Sequence, residues 1–444
     1  MSNFQKSFFG NRKQIVLLST GFVENCPRFS YNKTPAFAEE AKGRLNFPKS
    51  FFWGSSTSSH QVEGGTHNDW TEWERVTAKL KVENAKLRGW PDYILHKYPN
   101  PLQEENYISG KACGHYHRFR EDFDIARSLG HNAHRFSIEW SRIEPEEGKF
   151  DEKEIEHYRQ VIRALRERGI EPFITLWHWT HPVWFAKRGG WLAKDAQIYF
   201  SRFCKRMGEE FKDEVQYWII LNEPMLWATD AYRLGKKPPM AQSVFKFLKA
   251  YVQLVRAHRN AAAALKDINK DFHIGIAESM NDMLFPALLK PFVHYFRNLL
   301  FISLVKNRLD FIGVNYYRPF RFRFQKPLHI SDMGWEIYPE GMCHLLKDLK
   351  KYCKPIFIME NGIADARDAK RADFIKSHIA MMQRAMNEGV DVRGYFYWSL
   401  FDNFEWDSGF WPRFGLVEID YQTLKRRIRP SAYEYKKIIE ESKS

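Results

Sequence analysis

Two glutamates at the ends of apolar runs carry side chains that could work together in acid–base chemistry. Glu223 stands in the motif LNEP, and Glu360 stands in the motif MENG. Pro224, the last residue of the first motif, cannot donate a backbone hydrogen bond to a neighbouring strand, and Gly362, the last residue of the second motif, permits a tight turn. Two carboxyl groups that face each other across a pocket can cleave a glycosidic bond, since one protonates the leaving oxygen while the other attacks the anomeric carbon or activates water. Both glutamates are therefore predicted to sit on braced backbone at such a pocket.

Polar and indole side chains also follow the other apolar runs of the chain. An isolated carboxylate is costly to bury, so packing alone does not explain this accumulation. If the runs are parallel strands of a barrel, their carboxyl ends meet at one face and bring the side chains together. We interpret Glu139 and Glu278 as structural carboxylates paired with nearby arginines. The full set is Gln61, Glu63, Glu139, His178, Asn222, Glu278, Asn315, Tyr316, Tyr317, Trp398, Glu405 and Trp406.

Eight short runs rich in β-branched and aromatic residues predict the strands that position these side chains. They occupy residues 51–57, 133–140, 171–179, 215–224, 273–279, 309–317, 355–362 and 394–402. The segments between them carry a helical spacing of apolar residues, as in YRQVIRALRERG at 158–169. Eight buried strands with helix-sized connections favour a (β/α)8 TIM barrel of the α/β class. An open doubly wound sheet is the alternative, but the first strand is not followed by the GxGxxG of a dinucleotide site.

The composition is that of a globular protein. Of 444 residues, 44% are hydrophobic and 27% are charged. No run reaches the length of about 18 apolar residues that a membrane-spanning helix needs. The 15 tryptophans suit a ligand-lined cleft. The formal net charge is +14, but acidic residues interleave with the basic ones, which disfavours nucleic acid as a partner.

The first 46 residues differ from the rest of the chain, since they contain no Trp and show no sustained periodicity. We interpret residues 1–46 as an N-terminal extension and residues 47–444 as a single barrel domain. Residues 11–23 have a basic start and a short apolar stretch, but no small-x-small cleavage site of a signal peptide follows. The five cysteines are scattered without a zinc spacing, which favours free thiols and a cytoplasmic location, with secretion as the alternative.

Seven motifs, in order along the chain, resemble glycoside hydrolase family 1, whose members are β-glucosidase and β-galactosidase-type enzymes on a (β/α)8 barrel. A single NEP tripeptide would be a weak signal, but the ordered set is specific and the resemblance covers residues 47–441. The motifs are FPKSFFWGSSTSSHQVEGG (47–65), HRFSIEWSRIEPEEG (134–148), TLWHWTHPVW (175–184), LNEP (221–224), DFIGVNYY (310–317), MENG (359–362) and WSLFDNFEW (398–406).

The resemblance implies a role for each matched side chain. It implies Glu223 as acid/base, Glu360 as nucleophile, and retention of the β configuration. Arg135, Asn315 and Tyr317 match positions that hold or tune the nucleophile, and Trp335 matches an aromatic wall beyond the cleaved bond. No metal or organic cofactor is implied, and the expected ligand is a small-molecule β-glycoside or oligosaccharide. The side chains that the resemblance places around the non-reducing sugar are Gln61, His178, Asn222, Trp398, Glu405 and Trp406.

Departures from the family pattern narrow the expected substrate. Glu405, Pro412 and Phe414 stand where the phosphoglycosidase branch has Ser, Lys and Tyr, and a carboxylate there would repel a sugar phosphate. Glu223 is not Gln, which argues against the thioglucosidase branch. The expected substrate is therefore an unphosphorylated β-glucoside, with β-galactosides and β-fucosides as alternatives. The stretch at 280–308 is shorter than usual, which predicts an open aglycone side.

Three other interpretations stay open on the sequence. A transglycosylase would use the same site with a sugar hydroxyl in place of water. A catalytically silent sugar-binding protein would keep the barrel, although the presence of both glutamates weighs against it. The pairs His115/His117 and His178/His181 could bind a metal, but no grouped acidic or thiolate partner accompanies them.

Overall fold

The computed structural model describes residues 47–322, 327 and 329–442 of the chain. The expectation that residues 1–46 form an extension lies outside this part. Eight strands fall within the eight predicted runs or within two residues of them. They are β1 Phe52–Ser56, β2 Ala133–Ser137, β3 Glu171–Trp177, β4 Tyr217–Asn222, β5 His273–Met280, β6 Phe311–Tyr316, β7 Ile356–Asn361 and β8 Val392–Trp398.

These strands form one parallel sheet that closes on itself. The strand order around the ring follows the chain, and β1 pairs with β2 on one side and with β8 on the other. Gly54 of β1 consequently lies opposite both Ala133 and Phe396. An open sheet would leave its edge strands with a single neighbour. The (β/α)8 barrel is therefore confirmed, and the open doubly wound sheet is excluded.

Apolar side chains fill the interior of the barrel. Side chains alternate between the two faces of a strand. The residue two positions after Ala133 or Phe173 therefore lies on the same face as that residue, but nearer the carboxyl end of the strand. On β2 and β3 these residues are Arg135 and Thr175, and Nε of Arg135 donates to the Thr175 hydroxyl at 2.9 Å. The apolar cluster thus forms the floor beneath a polar end. Its members are Ala133, Phe173, Ile219, Ala277, Phe311, Phe357, Met359 and Phe396.

Helices connect successive strands, and their ends follow local rules. The side chain of Asp151 accepts from the first turn of the helix that covers most of the predicted segment 158–169, and that helix ends before Gly169, whose φ is +64°. The longer helices are α1 Asp69–Lys86, α2 His115–Ser128, α3 Glu152–Glu167, α4 Ala196–Phe211, α5 Val244–Ile268, α6 Glu340–Leu349, α7 Arg371–Asn387 and α8 Pro430–Glu441. The shorter helices are Ser59–Val62, Asp92–Leu95, Trp140–Ile143, Val183–Lys187, Pro224–Ala228, Lys290–His294 and Leu300–Val305.

Smaller elements decorate the loops. Two π-helical turns occupy Thr229–Arg233 and Tyr295–Leu299. The 3-10 turns are Glu104–Tyr107, Gly190–Leu192, Lys306–Arg308, Lys350–Tyr352 and Trp406–Ser408. The paired short strands are Met283–Leu284 with Phe320–Arg321, and Val417–Ile419 with Arg426–Ile428. Among the described helices, none combines the length and the hydrophobicity needed to cross a bilayer.

Candidate active site

Glu360 lies at the carboxyl end of β7, where side chains from two other strands contact its carboxyl group. Nη1 of Arg135 donates to Oε1 at 2.5 Å, and the Tyr317 hydroxyl donates to Oε2 at 2.7 Å. Burial raises the pKa of Glu360, while Arg135, Tyr317 and Asn315 act in the opposite direction. Each oxygen therefore has a donor that favours the ionised form.

Glu223 lies at the carboxyl end of β4 and is 5% exposed. Nδ2 of Asn315 donates to its Oε1 at 3.0 Å. Burial and the negative charge of Glu360 raise the pKa of Glu223 to about 7, against the opposing effects of Asn315, Lys237 and Arg135. Two donors thus favour the charged form of Glu360, whereas the negative charge of Glu360 favours the protonated form of Glu223.

The backbone is constrained at both glutamates, as their flanking residues predicted. Glu223 has a left-handed conformation with a φ of 47°, held by its N–H group, which donates to the Ala277 carbonyl at 2.7 Å. Pro224 begins the helix Pro224–Ala228 immediately afterwards. A Cβ at Gly362 would come 1.8 Å from the carbonyl oxygen of Trp398, so only glycine fits there.

Asn222 connects the two glutamates through a shared network. Its Oδ1 accepts from Nη2 of Arg135 at 2.7 Å and from Nδ2 of Asn315 at 3.1 Å. Its Nδ2 donates to Nε2 of His178 at 3.0 Å. These contacts fix which way the amide faces and leave one of its N–H bonds for a ligand hydroxyl.

His178 presents a hydrogen-bond donor. Because Nε2 accepts from Asn222, the proton of the neutral ring is assigned to Nδ1, which is buried and has no hydrogen-bond partner among the described residues. Burial and the charges of Arg135 and Lys237 hold the pKa of His178 well below its usual value. The ring therefore stays neutral, with one N–H available to a hydroxyl group.

Gln61, in the helix that follows β1, has less hydrogen-bonding capacity left for a ligand. Its Nε2 donates to Oδ1 of Asn403 at 2.9 Å and to the carbonyl of Phe404 at 2.8 Å. Its Oε1 accepts from the Ser58 hydroxyl at 2.9 Å. Both N–H groups of Nε2 already donate to protein atoms, so Gln61 can only accept a further hydrogen bond, through Oε1.

Glu405 and two indoles follow β8. Glu405 is half-buried, and its Oε2 has no hydrogen-bond partner in the described part of the chain. Burial and the nearby Glu360 raise the pKa of Glu405 to about 8. Trp398 and Trp406 are buried, and the Trp406 ring stacks on His178 with centroids 5.8 Å apart. A carboxyl group with spare capacity beside flat apolar faces suits a polyhydroxylated ring.

Trp335 lies on the Tyr317 side of the site. The centroids of these two rings are 5.7 Å apart, and Trp335 also lies 6.0 Å from Phe414. The twelve residues for which the resemblance implies a role lie near the carboxyl ends of the strands or in the loops that follow them.

Comparisons with known proteins agree with this geometry. The family model described as Glycosyl hydrolase family 1 matches residues 44–290 and 319–444. The chain belongs to glycosyl hydrolase family 1. Beta-glucosidase A from Thermotoga maritima is 33% identical over 454 residues, which cover 88% of this chain and 97% of that protein. This family 1 chain is a glycosyl hydrolase of the β-glycosidase type.

Solved structures of family 1 proteins share its fold. The beta-glycosidase from Pyrococcus horikoshii is 35% identical, with a TM-score of 0.78 over 90% of this chain and 96% of that one. The beta-glucosidase from Thermotoga maritima in complex with deoxynojirimycin is 31% identical, with a TM-score of 0.78 over 89% of this chain and 99% of that one.

The family 1 barrel also contains a site residue that sequence analysis missed. Lys237 is 5% exposed, and its ammonium lies 3.4 Å from the centre of a Trp179 ring and 3.1 Å from Oδ2 of Asp230. Trp179 has a φ of 78°, and its Nε1 donates to the backbone carbonyl of Asn222 at 3.1 Å. The segment GKKPP around Lys237 has the composition of a solvated turn, so no sequence signal marks this lysine as buried.

The prediction that arginines pair with Glu139 and Glu278 in the family 1 barrel is wrong. Glu278 makes no salt bridge with a described residue, and burial raises its pKa well above the usual value. Glu139 is structural, but hydroxyl and amide groups rather than arginines surround it. Its partners are Ser59, Asn68, Ser141 and Thr180.

One histidine of each pair considered for metal binding has a carboxylate partner of its own. Nδ1 of His115 lies 2.7 Å from Asp122, and Nδ1 of His181 lies 2.8 Å from Asp69. Over the described ranges, no group of three or more His, Cys, Asp or Glu side chains is arranged to hold a metal ion.

Proposed function

We propose that this family 1 enzyme is a retaining exo-β-glycosidase that releases terminal, unphosphorylated sugars from β-D-glycosides, with glucosides as the first choice. One observation carries the proposal, namely the unequal hydrogen bonding of the two carboxyl groups. Glu360 accepts from Arg135 and Tyr317, whereas Glu223 accepts from Asn315 and, among the described residues, from no other side chain. This inequality supports an ionised nucleophile facing a protonated acid.

The reaction then takes two displacements. In the first, a carboxylate oxygen of Glu360 bonds to the anomeric carbon, the bond to the leaving oxygen breaks, and Glu223 gives its proton to that oxygen. Ester formation removes the negative charge of Glu360, which had raised the pKa of Glu223. Glu223 can then accept a proton from water as the water oxygen attacks the anomeric carbon and releases Glu360.

The surroundings of the pair support an uncharged sugar. His178 offers a neutral donor, Asn222 offers an amide hydrogen, and Gln61 offers an acceptor. Glu405 supplies a carboxyl group at the position where a phosphate on the sugar would need a cation. The name of the Thermotoga maritima relative supports glucose as the first sugar to test.

A panel of p-nitrophenyl glycosides tests the proposal. We expect cleavage of the β-D-glucoside, no cleavage of the α-D-glucoside, and a β-configured sugar as the first product by NMR. Glu360→Gln should abolish this activity, whereas Glu171→Gln, at the amino end of β3, should not. An α-configured first product would overturn retention, and a preference for 6-phosphoglycosides would overturn the choice of substrate.

A further inference from the structure

Two arginines lie near the acid side of the pocket. Arg297 lies in the π-helical turn Tyr295–Leu299, and its Nε and Nη2 donate to Oδ1 of Asn281 at 3.0 and 2.9 Å. Arg318 follows β6, and its guanidinium lies 4.9 Å from the centre of a Trp335 ring. The Arg297 side chain is half-buried and the Arg318 side chain is exposed, and neither makes a salt bridge within the described ranges.

A buried asparagine pair holds both arginines in place. Asn281 is 7% exposed, and besides accepting from Arg297 it donates from Nδ2 to the carbonyl of Arg318 at 2.9 Å. Asn298 fixes Asn281 in turn, since Nδ2 of Asn298 donates to the Asn281 carbonyl at 2.8 Å and Oδ1 of Asn298 accepts from the Asn281 N–H at 3.2 Å. These bonds fix the guanidinium of Arg297 and the backbone of Arg318 beside the same asparagine.

The two arginines act on each other electrostatically. Burial and the nearby charge of Arg297 lower the pKa of Arg318, which shows that the two like charges repel each other. Asp230 favours the charged form of both arginines, and Glu278 and Glu223 also favour that of Arg297, but Oδ2 of Asp230 already lies 3.1 Å from the ammonium of Lys237. Arg297 and Arg318 thus lie near an Asp230 that is already ion-paired with Lys237, and an anion beside Arg318 would relieve the repulsion between the two arginines.

The arginines are also close to the reacting groups. The charge of Glu223 raises the pKa of Arg297 against the larger effect of burial, so the two groups interact. Trp335, beneath Arg318, lies 5.7 Å from Tyr317, whose hydroxyl donates to Glu360. Both arginines lie within residues 291–318, which the family model leaves unmatched, and neither belongs to one of the seven motifs.

We infer that the aglycone subsite of this enzyme takes a flat aromatic leaving group that carries a carboxylate. The ring lies against Trp335, and the carboxylate accepts hydrogen bonds from Arg318 and Arg297. A guanidinium matches a carboxylate with two parallel N–H donors, and an indole face matches an aromatic ring. The inference rests on the proposed function, because that function puts the leaving group on the Trp335 side of the cleaved bond.

The experiment compares 4-carboxyphenyl β-D-glucoside with the neutral 4-carbamoylphenyl β-D-glucoside. The quantity measured in wild type and in each variant is kcat/KM for the carboxyphenyl glucoside divided by kcat/KM for the carbamoylphenyl glucoside. The two leaving groups differ in reactivity, but this difference cancels when the ratio of a variant is compared with that of wild type. Arg318→Gln should lower the ratio by about tenfold, the low end for a charged hydrogen bond at a partly exposed group. Arg318→Lys keeps the charge without the paired donors and should lower it less.

Arg393→Gln is the matched control. Arg393 is 57% exposed at the amino end of β8, at the far end of the barrel from the site, and its removal changes the net charge by the same amount. The ratio in this variant should equal that of wild type. Added salt should lower the wild-type ratio toward that of Arg318→Gln, because it screens a partly exposed ion pair.

The outcomes separate this inference from the proposed function. Cleavage of both glucosides with the same ratio in wild type and Arg318→Gln would overturn the inference and leave the proposed function standing. An equal loss on both substrates would mean that Arg318 only supports Trp335, which also overturns it. A fall in the ratio for Arg393→Gln would point to the net charge of the protein instead. Cleavage of neither glucoside would overturn the proposed function together with the inference.

Discussion

The hydroxyl of Tyr317 donates to Oε2 of Glu360 at 2.7 Å, while Arg135 donates to the other oxygen of the same carboxyl group. Burial and the charge of Glu360 raise the pKa of Tyr317 well above its usual value, so the phenol keeps its proton and remains a donor. The contact therefore favours the charged form of Glu360 throughout the neutral range.

Tyr317→Phe should raise the pKa of Glu360, because the carboxylate loses a hydrogen bond that the protonated form needs less. A hydrogen bond to a charged group is worth about 1.5–3 kcal/mol, so the acidic limb of kcat/KM should move up by about one unit or more. A pH–rate profile on p-nitrophenyl β-D-glucoside measures the shift. An acidic limb that stays in place would mean that Tyr317 does not tune Glu360.

The basic limb of kcat/KM should fall as the pH rises through about 7, the pKa to which burial and Glu360 raise Glu223. Because the pKa is raised, Glu223 keeps its proton below that pH, where the acid is competent, and loses it above. Glu223→Gln cannot lose a proton, so its profile on a dinitrophenyl glucoside, which needs little acid help, should lack this limb. A basic limb retained in the variant would assign the acid to another group.

Lys237→Met should move the basic limb to higher pH. The positive charge of Lys237 lowers the pKa of Glu223, so its removal lets Glu223 hold its proton longer, by about 0.5–1 unit. Lys237→Arg keeps the charge and should leave the limb near its wild-type position. If Lys237 only supports the Trp179 ring, Lys237→Met would lower activity at every pH and leave the limb where it was.

The barrel could be predicted from the sequence because its strands are buried on both faces. β7, with the sequence IFIMEN, is a continuous apolar run that ends in the polar residues of the site, and it is buried throughout. The ordered motifs then placed Glu223 and Glu360 at strand ends, where the structure has them. Periodicity and punctuation are local signals, and they suffice for elements of this kind.

Contacts between loops could not be predicted in the same way. Lys237 lies on the Trp179 ring, and Asn281 ties Arg297 to Arg318, although no spacing or local composition links these residues. Glu139 accepts from hydroxyl and amide groups instead of arginines for the same reason. Which polar group meets which depends on how separate loops pack over the end of the barrel, and the sequence does not encode that as a pattern.

Glu405→Ser should weaken binding of the unsubstituted sugar, because Glu405 is proposed to hold its outer hydroxyl groups. Leaving a buried hydrogen-bond donor of the sugar without its partner costs about 1–3 kcal/mol, or roughly 5- to 150-fold in kcat/KM. Glu405→Gln keeps the size and one acceptor, and should lose less. Equal kcat/KM values for wild type and Glu405→Ser on p-nitrophenyl β-D-glucoside would contradict this role.

Azide rescue should separate the roles of the two glutamates by stereochemistry. Glu360→Gly removes the proposed nucleophile and leaves space on the α face of the sugar. Azide can enter there and displace an activated leaving group directly from a β-glycoside. One displacement inverts the anomeric carbon, so the product should be the α-glycosyl azide.

Glu223→Gly should give the opposite anomer under the same conditions. Glu360 is intact in this variant and can form the glycosyl-enzyme with a dinitrophenyl glycoside, whose leaving group needs no proton. Azide then attacks from the β face, through the space that Glu223 vacated, and two displacements return the β-glycosyl azide. NMR of the anomeric proton distinguishes the two products. Exchanged anomers would mean that the nucleophile and the acid are the other way round, and rescue of neither variant would contradict both assignments.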